Sequence, residues 1–414
     1  MRIWLHSRTT PIMSNTSFIL SQEQLLEIAR TLRQRIEEGL KTPGQEIQAI
    51  PTYIPVETIP HTGRALVVDF GGTNLRAAVV SLHEGKLTME KGPATSAIPL
   101  QRNVAMDRDL FLDYVTELIA SIDPPQDLPF GYCFSYPTLS TPDGDAKLIK
   151  WTKEVFVNDT VDEKVGDMLL KHLAAFRAPV KCSNVAVVND TVAAMLGGLT
   201  AEDADGYIGL IVGTGTNMAL VLDAKAVPKL PKELNWHWPL PINLESGNFR
   251  PPHLTMYDDQ LDAQSENPGQ QRFEKSVSGV YLAKLLKLAC PESEIDVAIG
   301  AKAVVELAYH TPDVDLHEKE IAMKILQRSA HLVAASLAGS ISIIAAAHPC
   351  KKICIVAEGG LFWGCPDYKG WTSSMLNTLL TALGHDHVQV DIVSVSSANL
   401  LGSAVAALSE FQSK

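Results

Sequence analysis

The stretch Leu66–Val80, LVVDFGGTNLRAAVV, decides the reading of this chain. An apolar run leads into Asp69, then Gly71-Gly72-Thr73-Asn74, and a second apolar run, Ala77–Val80, follows. Two short β-rich runs separated by glycines read as a hairpin. Glycines allow a tight turn and let a ligand approach the backbone where a Cβ would block it. Such a turn collects several backbone N–H groups into one concavity, suited to phosphate oxygens. Asp69, at the end of a buried strand, is placed to hold a hydrated Mg²⁺ beside those phosphates. Tyr207–Leu222, YIGLIVGTGTNMALVL, repeats the arrangement, with Gly213-Thr214-Gly215-Thr216-Asn217 between two apolar strands. One glycine turn between strands is ordinary; two, each with Gly-Thr and a trailing Asn, point to phosphate binding.

Outward from these hairpins the chain alternates strand and helix patterns, which argues α/β layering. Ser21 caps an amphipathic helix over Ser21–Leu40, and a proline-punctuated linker follows from Pro43 to Pro60. The spacing predicts helices over Asp107–Ile122 and Asp162–Ala175 and buried strands over Pro129–Ser135 and Val185–Val188. The last strand ends in Asn189-Asp190-Thr191, immediately before a helix rich in small residues. Beyond the second hairpin, helices are predicted over Arg272–Cys290, Val297–Tyr309, Asp315–Ala347, Trp371–Leu383 and Ala398–Leu408. Strands are predicted over Ile353–Ala357 and Val388–Val395. His331–His348 is apolar but too rich in small residues for a membrane span and reads as a buried helix.

The chain has 414 residues, more than one core usually serves, so two domains are expected. Hydrophobic residues make up 46% and charged residues 20%, ordinary for a soluble globular protein. A formal net charge of -12 argues against a nucleic-acid partner, which needs basic surface, but not against a nucleotide held by backbone amides and a metal. Six scattered cysteines favour reduced thiols and a cytosolic setting; Cys350 and Cys354 lack further ligands at a metal spacing. The first twelve residues lack the apolar core of a secretory signal and read as a poorly ordered extension before Met13.

Asp190 follows a buried strand, where ligands of open α/β sheets gather, although Asp also favours helix N-termini. Lys153, Glu245 and Glu274 taken singly read as solvated side chains. Their order along the chain is what shifts that reading. Asp69-Phe70-Gly71-Gly72-Thr73-Asn74-Leu75-Arg76 resembles the first phosphate segment of the hexokinase family, within the actin-like ATPase superfamily. Gly213–Asn217 resembles its second phosphate segment, and Asn189-Asp190-Thr191-Val192-Ala193 its catalytic segment. Phe134-Ser135-Tyr136-Pro137 and Trp151-Thr152-Lys153 resemble its sugar-site segments. Asn267-Pro268-Gly269-Gln270-Gln271-Arg272-Phe273-Glu274-Lys275 is similar to the run holding a sugar-binding glutamate.

The resemblance implies an α/β protein with two actin-like (ribonuclease H-like) domains around a central cleft. Residues 64–188 with the C-terminal helix 399–414 would form a small domain, and 189–398 a large one. Residues 1–63 would pack on the large domain. It further implies phosphoryl transfer from ATP to the 6-hydroxyl of glucose or a related hexose, by a monomer or homodimer without membrane or nucleic-acid partners. Asp190 would be the general base, with Lys153 stabilising charge. Ser135, Thr152, Lys153, Asn189, Asp190, Asn243, Glu245 and Glu274 would hold the sugar. Asp69, Gly71, Gly72, Thr73, Asn74, Arg76, Gly213, Thr214, Gly215, Asn217, Gly359 and Gly360 would hold the nucleotide, Asp69 reaching Mg²⁺ through water. The sequence departs from the family at Glu154, Ser246, Glu358-Gly359-Gly360 and Ser396–Gly402. Ser246 leaves open a kinase for an N-acetylated or amino sugar; the second alternative is a catalytically weak sugar-sensing regulator.

Overall fold

The computed structural model of the chain describes residues 17–71, 74–97, 104–152, 155–201, 203–312 and 315–409. The first half runs α1 (Gln22–Lys41), β1 (Ile50–Pro51), β2 (Thr62–Gly71), β3 (Asn74–His83), β4 (Lys86–Ala97) and α2 (Arg108–Ser121). Then follow β5 (Leu128–Phe134), α3 (Val165–Ala175), β6 (Cys182–Val188) and α4 (Asp190–Ala201). The second half opens with β7 (Gly206–Val212), β8 (Thr216–Leu222) and β9 (Leu240–Asn243), then α5 (Met256–Ala263), α6 (Arg272–Val277), α7 (Gly279–Ala289) and α8 (Ala301–Tyr309). It closes with α9 (Leu316–Ala347), β10 (Lys352–Glu358), α10 (Gly360–Gly364), α11 (Tyr368–Ala382), β11 (Gln389–Val393) and α12 (Ala398–Leu408).

Two sheets repeat one topology. The first has the order β4-β3-β2-β5-β6, antiparallel through β2, β3 and β4, then parallel through β5 and β6. The second has β9-β8-β7-β10-β11 with the same sense of pairing, and β1 added at its outer edge. In each, the glycine hairpin joins the first two strands, so both turns lie at the carboxyl end of the parallel strand beside them. Open α/β sheets gather ligands at that end.

Alternation along β2 sorts its side chains between two layers. Leu66, Val68 and Phe70 join the core under α2 and α3, while Ala65 and Val67 pack against α12. Asp69 falls on the α12 face and is only 2% exposed. α12 lies on β2, β5 and β6 and crosses α4, while α4 packs on β7, β8 and β10. The α4–α12 crossing thus joins the two sheets. Gly402 lets it close, since a Cβ there would sit 1.8 Å from the Ala193 carbonyl oxygen.

α1 packs on α9 and α11. Its Ser21 cap is the expected reciprocal one, with Ser21 Oγ and Gln24 Oε1 each accepting from the other residue's backbone N–H. α9 is long and apolar enough to cross a membrane, but 78% of its most apolar window is buried in this fold, as expected of a core helix. Arg328, within α9, is 2% exposed and donates to Asp258 at 2.6 and 2.9 Å, and its guanidinium lies 4.9 Å from the Phe18 ring. That buried pair ties α5, α9 and the segment before α1 together.

One expectation needs correcting, and several elements, β4 among them, were not anticipated. The single helix expected over Arg272–Cys290 is broken into α6 and α7 at Ser278, whose backbone is extended. The cause is tertiary: the Gly279 N–H donates to the Gly213 carbonyl at 2.7 Å instead of continuing a helical ladder. β4, an outer strand of the first sheet, was not expected at all. Its residues alternate between exposed and half-buried, so it lacks the apolar run that marks an inner strand.

Candidate active site

The first hairpin puts Asp69 and Arg76 opposite each other as antiparallel register partners. Arg76 pairs with Asp69, with Nε donating to Oδ2 at 3.1 Å. The other oxygen, Oδ1, is buried and has no partner among the described residues. A buried carboxylate oxygen left unpaired is costly, and it could accept a hydrogen bond from the water of a hydrated Mg²⁺, so the residues present fit that ion. On the other side of Asp69, its parallel register partner on β5 is Cys133, which is fully buried. Burial pushes the Cys133 thiol well up, and the nearby charges of Asp69 and Asp190 push in the same direction. Cys133 is in turn the register partner of Val188 on β6, two residues before Asp190, which places Asp190 and Asp69 at the same end of the first sheet.

Asp190 is the first residue of α4. Asn189 caps the helix, its Oδ1 accepting the Thr191 N–H at 3.0 Å. Asp190 Oδ1 accepts the Thr191 N–H at 2.8 Å and the Thr191 hydroxyl at 3.2 Å. Both of these bonds fall on one oxygen, so they hold the carboxylate while leaving Oδ2 out of the clamp.

A chain of amides then leads across the second sheet. Asn217 Nδ2 donates to Asn189 Oδ1 at 3.3 Å and to Asn243 Oδ1 at 2.8 Å. Asn217 Oδ1 accepts from the Met218 and Ser246 N–H groups at 2.8 and 3.1 Å. Asn243 Nδ2 donates to Glu245 Oε1 at 2.8 Å. Glu245 itself sits at φ 53, a left-handed conformation that turns the chain sharply after β9. Its carboxyl is raised above the usual glutamate value, first by desolvation and then by the charges of Asp190 and Glu274. Glu274, on α6, accepts the Thr216 N–H at 3.1 Å. Gly215 leaves room for that carboxylate, since a Cβ there would lie 2.7 Å from Glu274 Oε2. Asn189, Asp190, Asn243, Glu245 and Glu274 therefore converge. Ser135 (7% exposed) follows β5, the strand beside β2, and its N–H donates to the Phe70 carbonyl at 3.2 Å. Thr152 is half-buried beside Trp151, whose indole N–H donates to Thr160 Oγ1 at 2.8 Å.

Around the second hairpin, Gly213 meets Gly359 closely enough that a Cβ would stand 3.3 Å from its Cα, and Gly279 bonds to Gly213. Gly360 has open space where a Cβ would point, and Thr214 is exposed. The Glu358 carboxyl, at the end of β10, is raised by burial, with Arg76 acting in the opposite direction. Gly71 and Asn74 are paired across the first turn. Gly72, Thr73 and Lys153, with the divergent Glu154, lie outside the described residues.

A family model described as hexokinase matches residues 14–199, and a second of the same description matches 207–293 and 298–409. The chain belongs to the hexokinase family. It is 32% identical over 331 residues to Hexokinase-1 of Spinacia oleracea, a match covering 73% of this chain and 64% of that relative's length. Against Hexokinase-2 of Solanum tuberosum it is 29% identical over 426 residues, covering 88% and 83%. The solved hexokinase of Schistosoma mansoni complexed with glucose superposes with a TM-score of 0.78 at 25% identity, covering 94% of this chain and 96% of that one. The two-domain actin-like fold around a central cleft is thereby shown for this hexokinase-family chain.

Asn217 is the residue whose position the sequence reading of this family member described least well. Grouped there with the phosphate turn, it has both ends of its amide spent on linking Asn189, Asn243 and the Ser246 backbone. The trailing Asn of GTGTN looks alike in either role, because strand alternation after a glycine turn is ambiguous by one residue. Ser278 was also passed over. It is fully buried at the start of α7, and its Oγ has no partner among the described residues. The Ser-Gly pair before an apolar helix is a signal that could have found it.

Proposed function

We propose that this chain transfers the terminal phosphoryl group of ATP to the 6-hydroxyl of glucose or a related hexose, giving the sugar 6-phosphate and ADP. The observation that carries this reading is the placement of Asp190 at the head of α4. There it is clamped through one oxygen, flanked by the amide chain from Asn189 to Glu245, and lies at the same end of the first sheet as Asp69.

Asp190 takes the proton of the 6-hydroxyl as that oxygen bonds to phosphorus and the bond to the ADP oxygen breaks. General-base assistance is worth roughly 10²–10⁴-fold; the remainder comes from alignment and charge stabilisation. Asn189, Asn243, Glu245 and Glu274, with Ser135, Thr152 and Lys153, present donors and acceptors to the sugar hydroxyls. A sugar lacking one hydroxyl leaves a buried group unpaired, at a cost of about 1–3 kcal/mol. Lys153 would supply the positive charge that the family resemblance assigns to it. The two glycine hairpins, through Gly71, Gly72, Thr73, Asn74, Gly213, Thr214 and Gly215, offer backbone and hydroxyl donors to the phosphates, and Gly359 and Gly360 leave room beside them. Asp69, with its buried oxygen left without a partner among the described residues, would hold a hydrated Mg²⁺, and the ion would neutralise charge on the phosphates.

The amino-sugar alternative rested on Ser246. The hexokinase relatives and the glucose-bound hexokinase that the chain matches do not favour it. We further place the protein in the cytoplasm, at the entry of glucose into glycolysis, as a monomer or homodimer. Its cysteines are all free, in keeping with a reducing compartment.

A coupled ADP-release assay over a panel of hexoses tests the reading. Asp190→Ala is expected to lower kcat by at least about 10²-fold while glucose binding, read by calorimetry, stays measurable. Substantial residual turnover in that variant would reassign the base. A flat trace with every sugar despite measurable sugar binding would favour the regulator.

A further inference from the structure

Beside the sugar carboxylates lies a buried cation that the proposed chemistry does not use. Lys275 is 2% exposed, and its ammonium group has three bonds: to Asp262 Oδ1 at 2.7 Å, Ser265 Oγ at 2.8 Å and the Asn267 carbonyl at 2.9 Å. Lysine has three N–H donors, so these bonds satisfy it completely. Asp262 is equally committed. Its Oδ2 accepts the Gly269 N–H at 2.8 Å and an Arg272 N–H at 3.2 Å. Its carboxyl is held below the usual aspartate value against burial, mainly by the bond from Lys275.

The knot sits at the start of α6, where Arg272 also bonds to Asp259 and Asp262, while the far end of the helix is fixed separately by Ser329 Oγ on the Val277 carbonyl at 2.7 Å. That helix has only six residues, and its N-cap, Gln271, is left-handed at φ 51 and makes no side-chain capping bond. A helix this short has no stability of its own in water. It is held at its start by the Lys275 knot and by the Phe273 N–H on the Phe249 carbonyl at 2.8 Å. Glu274 stands between these two anchors. Its carboxylate reaches the Thr216 N–H through the space left by Gly215, and a tilt of α6 would close that space or pull the carboxylate away.

We infer that Lys275 is a positioning residue for the sugar: by knotting the 262–271 loop to α6, it fixes where the Glu274 carboxylate meets the hexose hydroxyls. The inference rests on the reading that Glu274 binds sugar. It concerns binding and orientation and leaves the chemical step to Asp190. Burying a lysine beside one carboxylate is a weak route to stability, because desolvation offsets the attraction. The exchange makes sense where geometry, rather than free energy, is what the pair supplies.

The test compares Lys275→Met, Ser265→Ala, Glu274→Gln and the Lys275→Met/Glu274→Gln double variant in the full-length enzyme. Glucose KM, kcat, and glucose dissociation constant by calorimetry are read for each. Displacing a positioned group by about 1 Å costs up to about 10²-fold, so Lys275→Met is expected to raise glucose KM and Kd by about tenfold or more with kcat changed far less. Ser265→Ala, which removes one of the three bonds without burying a bare carboxylate, is expected to move KM in the same direction by a smaller factor. In the Glu274→Gln background, Lys275→Met is expected to add little. Equal effects of Lys275→Met with and without Glu274 would overturn the inference, as would an unchanged KM in both Ser265→Ala and Lys275→Met. If Glu274→Gln itself leaves glucose binding intact, the sugar-site reading fails first. Should Lys275→Met not fold, Ser265→Ala in the two Glu274 backgrounds carries the same comparison.

Discussion

At the scale of single residues, the site works by giving each carboxylate a different setting. Asp190 is clamped through one oxygen, Asp69 gives one oxygen to an arginine, and Glu245 is half-buried next to other acids. Glu245 therefore carries a consequence for pH. Its folded-state carboxyl is raised, chiefly by desolvation, so the folded protein holds that proton at pH values where the unfolded chain has released it. Stability from this group is fully present below the ordinary glutamate value and is lost as pH rises through the raised one. In thermal melts without sugar, the wild type is expected to lose melting temperature relative to Glu245→Gln as pH climbs through that window. Parallel curves for the two proteins would show that the carboxyl is not perturbed. Asp69 and Asp190 could be singled out from the chain as acids at strand ends beside a glycine turn and a helix start, whereas Glu245 and Glu274 read singly as solvated and entered only through the family resemblance. Asn217 and Lys275 could not be singled out, since what distinguishes them is which partner lies opposite in space. A trailing asparagine and a lysine after a glutamate have no local signature for that.

At the scale of elements, glycine decides how closely the two halves meet. Gly402 in α12 faces Ala193 in α4, and a Cβ would stand 1.8 Å from a carbonyl oxygen and 2.5 Å from its carbon. Backbone cannot rotate out of the way as a side chain can. Gly402→Ala is therefore expected to destabilise by about 1–3 kcal/mol, the usual range for overpacking, and to lower kcat because α4 carries Asp190 on its first turn. Gly370, in α11, is the control: nothing lies within 4 Å of its missing Cβ. Gly370→Ala is expected to leave activity unchanged and to raise stability by up to about 1 kcal/mol through helix propensity. Chemical denaturation of the three proteins separates these outcomes, and a harmless Gly402→Ala would mean the crossing is looser than drawn. Both glycine hairpins, the strand into Asp190 and the long α9 could be read beforehand, because each pairs an apolar run with a clear break. The α6–α7 break and β4 could not. One depends on a hydrogen bond to Gly213 from far away in sequence, and the other is a solvent-facing edge strand without an apolar run.

At the scale of the whole molecule, the duplicated sheet topology gives each sheet a glycine hairpin at the carboxyl end of its parallel strands, with α4 and α12 crossing between the sheets. The proposed sugar ligands come from both halves: Ser135 follows β5 of the first sheet, whereas Asn243, Glu245 and Glu274 belong to the second half of the chain. A hexose bound to both has differential contacts with an open and a closed cleft, and such a difference is what can shift an equilibrium between them. Closure also matters chemically, because water is an acceptor as competent as a sugar hydroxyl and is best excluded until the sugar is in place. Glucose is therefore expected to reduce the radius of gyration in solution scattering, measured against about 22 Å for a compact chain of this length. ATP hydrolysis without sugar should run far below the rate of sugar phosphorylation. Asp190→Ala should still contract on glucose, since the other sugar ligands remain, whereas Glu274→Gln should need a higher glucose concentration to do so. Tight glucose binding with no change in scattering, together with sugar-independent ATP hydrolysis near the full rate, would mean that the cleft is preassembled and that specificity against water must come from elsewhere.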